Sequence, residues 1–301
     1  MYDFVTIGDI TIDLYYQGES LSIEKSRFSL ACGGKYYADT FHHSIGGSGA
    51  NVAIHASTMG MNVAVVAKVG ESGLKNFIVQ TLTRKTVSTE FLYFDRQYMS
   101  VSTILLSPKG ERTIIKYSDK KDHIEVSTYT LERIQKSAVV FMGNLPDISI
   151  PERAHLLNKV KSDENTIALN LGSKDCRRGL SAMRPLLDSA DIIILNRYEF
   201  AELIKKDPEK LDLSKSHLAA IGRNDCILII TDGSKGSHAY TAKDIFHQPP
   251  KKINKVIDTT GAGDAFSAGF LVRYHSTKDV QKSLEAGTHQ ASEVVSKIGA
   301  H

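Results

Sequence analysis

The sequence predicts an α/β fold whose sheet is mostly parallel and doubly wound. Short apolar runs of strand length alternate with helix-length segments along much of the 301 residues, and this alternation favours parallel strands joined by helices. Polar residues stand at or just past the ends of several strands, at Asn144, Asn170, Asn196 and Thr231. Because ligands bind at the carboxyl ends of such strands, we expect a site at that edge of the sheet. Asn144 and Asn170 also fit ordinary capping and turn formation.

The first elements follow from their apolar spacing. Residues 4–7 predict a buried strand that ends at Gly8. Residues 50–59 predict a helix, 62–67 a buried strand and 73–85 an amphipathic helix.

After residue 117 the alternation of strands and helices becomes regular. Pro151 suits the first position of a helix, since its missing N–H would be unpaired there in any case. The predicted helices begin at Pro151, pass through 183–187 and cover 198–205. The predicted strands are 138–142, 166–170, 191–195, 227–230 and 237–240.

Two β-rich segments interrupt this pattern, at about 11–44 and 91–117. The second segment has two runs of alternating side chains, 101–106 and 113–117. A Ser-Pro-Lys-Gly turn at 107–110 joins these runs and predicts a hairpin.

Composition and charge exclude several classes of protein. A net charge of +3 on 301 residues is too small to indicate a nucleic acid or a membrane surface as partner. The chain start lacks a targeting pattern, and no apolar run reaches membrane-spanning length. Cys32, Cys176 and Cys226 have no metal-binding spacing, so they predict reduced, buried thiols of a cytoplasmic protein.

Residues 258–266, Asp-Thr-Thr-Gly-Ala-Gly-Asp-Ala-Phe, mark the entry into a helix. Gly261 and Gly263 allow a tight turn, which leaves the first N–H groups of the helix available to an anion. Asp264 would repel a phosphate there unless it holds a metal or takes up a proton. This combination fits phosphoryl transfer. Taken alone, it also fits an ordinary helix start.

Residues 46–53, Gly-Gly-Ser-Gly-Ala-Asn-Val-Ala, form a second glycine-rich loop that enters a helix. Together the two stretches resemble both signatures of the ribokinase-like (PfkB-type) carbohydrate kinases, and the resemblance extends from Gly8 to the last helix. It implies a single kinase domain over 1–301, an α/β/α sandwich with a small β-sheet lid. The segments 11–44 and 91–117 would form this lid, which excludes water when it closes.

The resemblance implies ATP-dependent transfer of the γ-phosphoryl group to a hydroxyl of a sugar. In that reaction Asp264 would take the proton from the attacking hydroxyl. The N–H groups of Gly261, Ala262 and Gly263 would hold the charge that develops on the transferred group.

Further roles follow for the acceptor. Asp13 lies five residues after Gly8, where the family has an aspartate that binds substrate hydroxyls; an exposed strand charge is the alternative. Gly47 and Asn51 would also position the acceptor. The family usually has Gly-x-Asp-x-x-Gly after the strand 62–67, whereas this chain reads Gly-Glu-Ser-Gly at 70–73.

Nucleotide and metal roles fall on two other turns. Asn196 and Glu199 match an Asn-x-x-Glu motif that organises Mg²⁺ and phosphates through water, although Glu199 also fits the first turn of a helix. Thr231, Gly233 and Gly236 resemble the turn that lines the nucleotide. Some members also bind a monovalent cation such as K⁺ near the anion hole, and in several the lid forms a homodimer contact.

The sequence also bears on several alternative functions. The chain has no G-x-x-x-x-G-K-S/T, which excludes a P-loop kinase, and no G-x-G-x-x-G after its first strand, which a dinucleotide enzyme would need. A ligand-sensing pseudokinase has no need for the intact motif at 261–264. A nucleoside kinase would use aromatic lid residues, and a sugar-phosphate kinase cationic ones. The aromatic candidates are Tyr15, Tyr16, Tyr36, Tyr37, Phe41 and Tyr98, and the cationic ones are Lys35, Arg96, Arg112 and Lys116. An unphosphorylated sugar is the favoured acceptor.

Overall fold

The helices and strands lie close to their predicted positions. The computed structural model describes residues 1–19, 21, 23–24, 27–107, 112–119, 123–297 and 299–301. Its strands are β1 (Phe4–Ile7), β2 (Thr11–Gln17), β3 (Ile23–Glu24), β4 (Arg27–Phe28), β5 (Thr40–Gly46), β6 (Val63–Gly70), β7 (Val87–Ser88), β8 (Leu92–Asp95), β9 (Ser100–Leu106), β10 (Arg112–Ser118), β11 (Val139–Met142), β12 (Thr166–Asn170), β13 (Ile192–Asn196), β14 (Ile227–Thr231), β15 (Ser237–Tyr240) and β16 (Ile245–Gln248). Its helices are α1 (Ser48–Thr58), α2 (Lys75–Arg84), α3 (Thr128–Gln135), α4 (Ile150–Val160), α5 (Ser173–Cys176), α6 (Leu180–Ser189), α7 (Arg197–Leu203), α8 (Ala262–Thr277) and α9 (Val280–Val294).

The large sheet has ten strands and is mostly parallel, as predicted. Its order is β16-β15-β14-β13-β12-β11-β1-β6-β7, and β8 also pairs with β6. The strands from β14 through β7 are parallel to their neighbours, whereas β15 and β16 form an antiparallel edge. The order reverses at β1, which lies between β11 and β6 in the middle of the sheet. The carboxyl ends of these central strands therefore meet at one edge.

Two apolar cores cover the two faces of this sheet. Successive side chains of a strand point to opposite faces: Phe4 packs into one core, and Val5 and Ile7 pack into the other. Helices α1, α2, α8 and α9 contribute to the Phe4 side, whereas α3, α4, α6 and α7 contribute to the other. Burial on both faces explains why the central strands are almost continuously apolar. The molecule is thus an α/β/α sandwich.

A second, small sheet forms from the β-rich segments. Its order is β10-β9-β2-β5, and its pairs are antiparallel apart from β2 with β9. The predicted start of the second segment at residue 91 needs correction, because β8 pairs with β6 in the large sheet. That segment contributes to the small sheet only from Ser100 onward. The predicted turn at 107–110 lies outside the described residues from Pro108 on.

The cysteines correct one further expectation. Cys176 and Cys226 are buried, but Cys32 is exposed because it lies in the irregular segment between β4 and β5, where the chain is open to solvent. In the described ranges, no helix is long and apolar enough to cross a membrane.

A buried ion pair joins two helices on one side of the sheet. Arg153 of α4 and Asp175 of α5 have side chains 1% and 0% exposed. They form a bidentate pair, with Nη1 to Oδ2 at 2.6 Å and Nη2 to Oδ1 at 3.0 Å. Paired charges of this kind are tolerated in a core because each compensates the other, and loss of one leaves an uncompensated buried charge.

Asp175→Asn should therefore destabilise the protein by about 3–5 kcal/mol, because Arg153 stays buried without its counter-charge. Denaturant unfolding measures the loss. Asp147→Asn is the matched control, since Asp147 pairs with the exposed Lys174 at 2.6 Å and such surface pairs contribute about 0–1 kcal/mol. Equal losses in the two variants would contradict this account of the buried pair.

Candidate active site

The turn before α8 leaves the start of the helix open. Gly261 is the N-cap residue, with φ of 76°, and no side chain caps the first N–H groups. An added Cβ on Gly261 would lie 2.5 Å from Ala300 Cβ, so both the positive φ and the close packing require glycine. A Cβ on Gly263 would meet no atom within 4 Å, so this residue faces open space. Residues 261–263 thus form a glycine-rich turn at the start of α8, and anion binding there stays a prediction.

Asp264 lies in the first turn of α8 and contacts the other glycine-rich loop. Its Oδ2 atom accepts a 2.8 Å hydrogen bond from Asn51 Nδ2 on α1. Burial of the carboxyl group raises the pKa of Asp264 to about 6, and the hydrogen bond from Asn51 opposes part of that rise. The two motifs, which are more than 200 residues apart in sequence, thus meet at one carboxylate.

A cavity of about 510 Å³ lies against the open end of α8. Thr231, Gly233 and Gly236, which are predicted to line the nucleotide, line this cavity together with Ala262 and Gly263. Its apolar wall was not predicted, because it combines the segment after β16 with residues of α8, of α9 and of the C-cap of α9. The residues of this wall are Ile253, Val256, Phe266, Ala291 and Val295. A cavity of this size, mostly apolar with polar groups at one end, fits a nucleotide-sized ligand.

Asn196 and Glu199 form a capping box at the start of α7. Asn196 Oδ1 accepts from Glu199 N at 2.9 Å, and Glu199 Oε2 accepts from Asn196 N at 3.0 Å. Asn196 also pairs in register with Thr231, so this helix start adjoins the cavity. Burial raises the pKa of Glu199 to about 7, and the negative charge of Asp264 adds to the rise, against the hydrogen bonds from Asn196. Glu199 therefore lies in the first turn of a helix, as the alternative interpretation predicted. It is a second carboxylate close enough to Asp264 to feel its charge.

Asp13 lies on β2, where the small sheet adjoins the α1 loop. It is 6% exposed and accepts a hydrogen bond from Thr11 Oγ1 at 3.0 Å. Burial raises the pKa of Asp13, whereas hydrogen bonds from Ser102 and Thr11 and the charge of Lys116 oppose that rise. The alternative of an exposed strand charge is wrong for Asp13.

Gly47 is the N-cap of α1, with φ of 92°. A Cβ there would lie 2.4 Å from the Asp9 carbonyl oxygen, so a side chain would displace the loop. That same oxygen accepts hydrogen bonds from Gly49 N at 3.1 Å and Ala50 N at 3.3 Å. The glycine loop is thereby fixed against the residues between β1 and β2, and α1 presents Asn51 to Asp264.

Three buried polar atoms around this loop find no hydrogen-bond partner in the described part of the chain: Ser48 Oγ, Asn51 Oδ1 and Asn144 Oδ1. A Cβ on Gly143 would lie 2.2 Å from Ser48 Oγ, which places the end of β11 against the start of α1. Capping does not account for Asn144, whereas Asn170 ties β12 to β13 through a 2.9 Å bond to the Ile194 carbonyl. Asn144 is a site candidate that its position after a central strand could have indicated.

The comparison with known sequences decides the family. Residues 1–301 match the family described as "pfkB family carbohydrate kinase". The chain belongs to this family. The predicted family and the predicted ATP-dependent sugar kinase activity are thereby confirmed.

Relatives of this pfkB kinase agree with that assignment. An ATP-dependent 6-phosphofructokinase of Thermoanaerobacterium thermosaccharolyticum is 27% identical, over 99% of this chain and 89% of the relative. A 5-dehydro-2-deoxygluconokinase of Bacillus licheniformis is 27% identical, over 98% of this chain and 90% of the relative. The structure of Arabidopsis thaliana ribokinase complexed with ribose and ATP superposes with a TM-score of 0.83 and 23% identity. The superposition covers 99% of this chain and 94% of the Arabidopsis thaliana chain. The ribokinase-like fold is confirmed.

The structure also shows a contact between the small sheet and the turn before α8 that the sequence did not indicate. Arg112, at the start of β10, donates from Nη1 to Asp258 Oδ1 at 2.9 Å and to Thr259 Oγ1 at 2.8 Å. The sequence had marked Arg112 only as a cation for a phosphorylated acceptor. Its partners lie 146 and 147 residues further along the chain, so no local pattern could have indicated the contact.

Proposed function

We propose that Asp264 is the general base of this sugar kinase and that the turn at 261–263 binds the transferred phosphoryl group. The observation that carries the proposal is the hydrogen bond between Asp264 and Asn51, because it places the carboxylate between the open start of α8 and the polar groups of the α1 loop. On one side of Asp264 lies a nucleotide-sized cavity, and on the other lie polar atoms suited to hydroxyl groups. A base at that boundary can take a proton from a hydroxyl that attacks a phosphoryl group.

The N–H groups at the start of α8 supply the electrostatic part of the reaction. They carry no side-chain cap, and they point with the positive end of the helix dipole towards the cavity. Fixed donors of this kind stabilise charge as it develops on the transferred group, at no reorganisation cost during the reaction. A phosphate bound nearby would disfavour the ionised form of Asp264 and raise its pKa further, which makes the carboxylate a stronger base.

ATP occupies the cavity beside α8 in this proposal. Thr231, Gly233 and Gly236 face the phosphates, and the apolar wall formed with Phe266 and Val295 receives the base. Backbone N–H groups and a hydroxyl suit phosphates, whereas a flat apolar wall suits a purine ring. Asn196, which pairs with Thr231, fixes this turn from the neighbouring strand.

Mg²⁺ fits the carboxylate Glu199. Burial and the charge of Asp264 raise the pKa of Glu199 to about 7. A cation bound at Glu199 would favour the ionised carboxylate and so lower that pKa. Among the described residues there is no group of three or more His, Cys, Asp or Glu side chains that could hold a metal. This suits Mg²⁺, which keeps several waters and takes few protein ligands. When bound with ATP, the ion would neutralise phosphate charge. The monovalent cation that the resemblance implies stays a prediction.

The acceptor lies between the small sheet and α1. Asp13, Ser48, Asn51 and Asn144 offer carboxylate, hydroxyl and amide groups, which match the hydroxyls of a sugar. Tyr15, the aromatic candidate on the same face of β2 as Asp13, is 2% exposed. Phe41 stands opposite Tyr16 in the register of β2 and β5, on the other face of the small sheet. A neutral sugar is therefore favoured over a nucleoside, whose base would need an accessible aromatic face inside the cleft.

We further propose that the small sheet closes as a lid and forms a homodimer contact in a cytoplasmic enzyme. Its strand β10 exposes Ile115 and Tyr117 by 58% and 59%, and it is an edge strand with unpaired backbone groups. Exposed edges of this kind are suited to pairing with a second copy. A molecular mass in solution equal to that of one chain would exclude the dimer.

Asp264→Asn should lower turnover by about 10²–10⁴, with ATP affinity nearly unchanged, because the amide keeps the shape and cannot accept a proton. The measurement is ADP production by the wild type and the variant with a panel of neutral sugars, sugar acids, sugar phosphates and nucleosides. A variant that keeps more than about a tenth of wild-type turnover would refute the role of the base. A nucleoside as the best acceptor would instead support the alternative function.

The pH dependence follows from the raised pKa of Asp264. The residue acts as a base only when ionised, and it becomes protonated as the pH falls through about 6. kcat/KM should therefore be constant above pH 7 and fall about tenfold per pH unit well below pH 6. Glu199→Gln is the control, since Glu199 titrates nearby: the acid limb should persist in its residual activity. A profile that stays flat to pH 5 would contradict the assignment.

Asp13→Ala should raise the KM for the acceptor and leave that for ATP unchanged. Hydrogen bonds to a charged group contribute roughly 1.5–3 kcal/mol, so the expected increase is about ten- to a hundredfold. Thr11→Val serves as control, because it removes a hydrogen bond to Asp13 and keeps the carboxylate. Equal changes in both KM values would indicate a structural role, and Asp9 would be the next residue to examine.

A further inference from the structure

Two ion pairs connect the small sheet with the main body of the kinase across the cleft. Arg112 binds Asp258 at 2.9 Å, and Lys116 lies 3.7 Å from Asp9. Both cations come from β10, four residues apart, and therefore lie on the same face of that strand. Their partners differ in exposure, because the Asp258 side chain is 2% exposed and that of Asp9 is 15% exposed.

The register of the small sheet relates this face to the acceptor residue Asp13. Lys116 stands opposite Ser102 of β9, and Ser102 stands opposite Asp13 of β2. Directly paired residues share a face of the sheet, so Arg112 projects from the same face as Asp13. The sheet that carries the proposed acceptor ligand thus also carries the arginine that binds the signature turn.

Asp258 is the point at which that turn is fixed. Its Oδ1 atom accepts from Thr260 N at 2.9 Å and from Thr260 Oγ1 at 2.7 Å, and its Oδ2 atom accepts from Gly299 N at 3.1 Å. Arg112 adds a charged donor to Oδ1 and a second bond to the neighbouring Thr259. Thr259 lines the nucleotide cavity, two residues before Gly261. A change at this carboxylate is therefore transmitted directly to the anion-binding turn.

We propose that Arg112 is a positioning residue that makes the geometry of the turn 258–263 depend on the position of the small sheet. An acceptor bound to Asp13 holds the sheet over the cleft, and Arg112 then holds Asp258 and Thr259 in place in front of Gly261. The turn is complete for phosphoryl transfer only when the sheet is seated. Water, which cannot seat the sheet, is thereby disfavoured as acceptor. The inference rests on the proposed function in assigning the acceptor to Asp13.

The test compares Arg112→Gln and Arg112→Lys with the wild type by two measurements. Hydrogen exchange of the amides at 258–263 should be faster in Arg112→Gln than in the wild type, since the turn loses its contact with β10, and the acceptor should slow this exchange in the wild type but not in Arg112→Gln. With ATP and the best acceptor, kcat should fall about 10- to 100-fold, because small misplacements of reacting groups have effects of this size. The KM for ATP should stay within about twofold of the wild type. Arg112→Lys restores the charge beside Asp258 and should recover part of both losses.

Arg223→Gln is the matched control. Arg223 binds Asp225 and the carbonyl groups of Leu187 and Ala190, on the side of the sheet away from the site. Its loss should lower the melting temperature and leave kcat and the exchange at 258–263 unchanged. This separates positioning from a general loss of stability.

Three outcomes would overturn the proposal. The first is wild-type exchange at 258–263 in Arg112→Gln, and the second is a loss of kcat that Arg223→Gln shares. The third is a raised acceptor KM with unchanged kcat, which would assign Arg112 to the acceptor instead. If the wild type forms no ADP with any acceptor, the proposed function fails, and the exchange measurement still decides whether Arg112 fixes the turn.

Discussion

The site depends on the turn at Gly261, where the chain adopts a positive φ while it packs on Ala300. A side chain at this position would collide with the residue beneath it, and an L-residue would also be strained in the left-handed region. After this turn α8 begins without a side-chain cap, its residues Ala262 and Gly263 line the cavity, and Asp264 accepts the hydrogen bond from Asn51. The nucleotide side and the acceptor side of the proposed site therefore both depend on the close contact between Gly261 and Ala300.

Three carboxyl groups around the cleft share an electrostatic property. Burial raises the pKa of Asp13, Glu199 and Asp264 above the ordinary range, and Asp264 adds to the rise at Glu199. Hydrogen bonds to each group oppose the rise without cancelling it. Such a site binds protons and cations more readily than an exposed one. In the proposed function, an ATP-bound cation and an attacking hydroxyl are the species that would meet these carboxyl groups.

The small sheet meets the site through two of its strands, β2 and β10. Its strand β2 follows β1 directly and places Asp13 at the end of the central strands, where the large sheet reverses its order. Its edge strand β10 is exposed on both faces over 113–117 and contacts the main body through charged side chains. Apart from Ile12 and Ile45, which pack into the core on the Phe4 side of the large sheet, the small sheet has only a small apolar cluster of its own, Tyr15, Ile104 and Leu106. Elements with few buried apolar contacts open at low free-energy cost. This is the physical basis for its proposed role as a lid.

The sequence by itself determined the alternation of strands and helices, because each buried strand and each amphipathic helix has a local apolar period. It also determined the two glycine-rich turns and the carboxylate within one of them, because glycine allows the tight turns that precede a helix and aspartate is favoured in a first helical turn. Only the tertiary structure decided which residues meet. The bond from Asn51 to Asp264, the contact of Arg112 with Asp258 and the apolar wall built from the segment after β16, α8 and α9 all join segments far apart in sequence. Such contacts depend on how the layers pack, and packing leaves no local pattern in the chain. The same reason explains the strand β8, whose alternation is compatible with either sheet and whose place is decided by its neighbour β6.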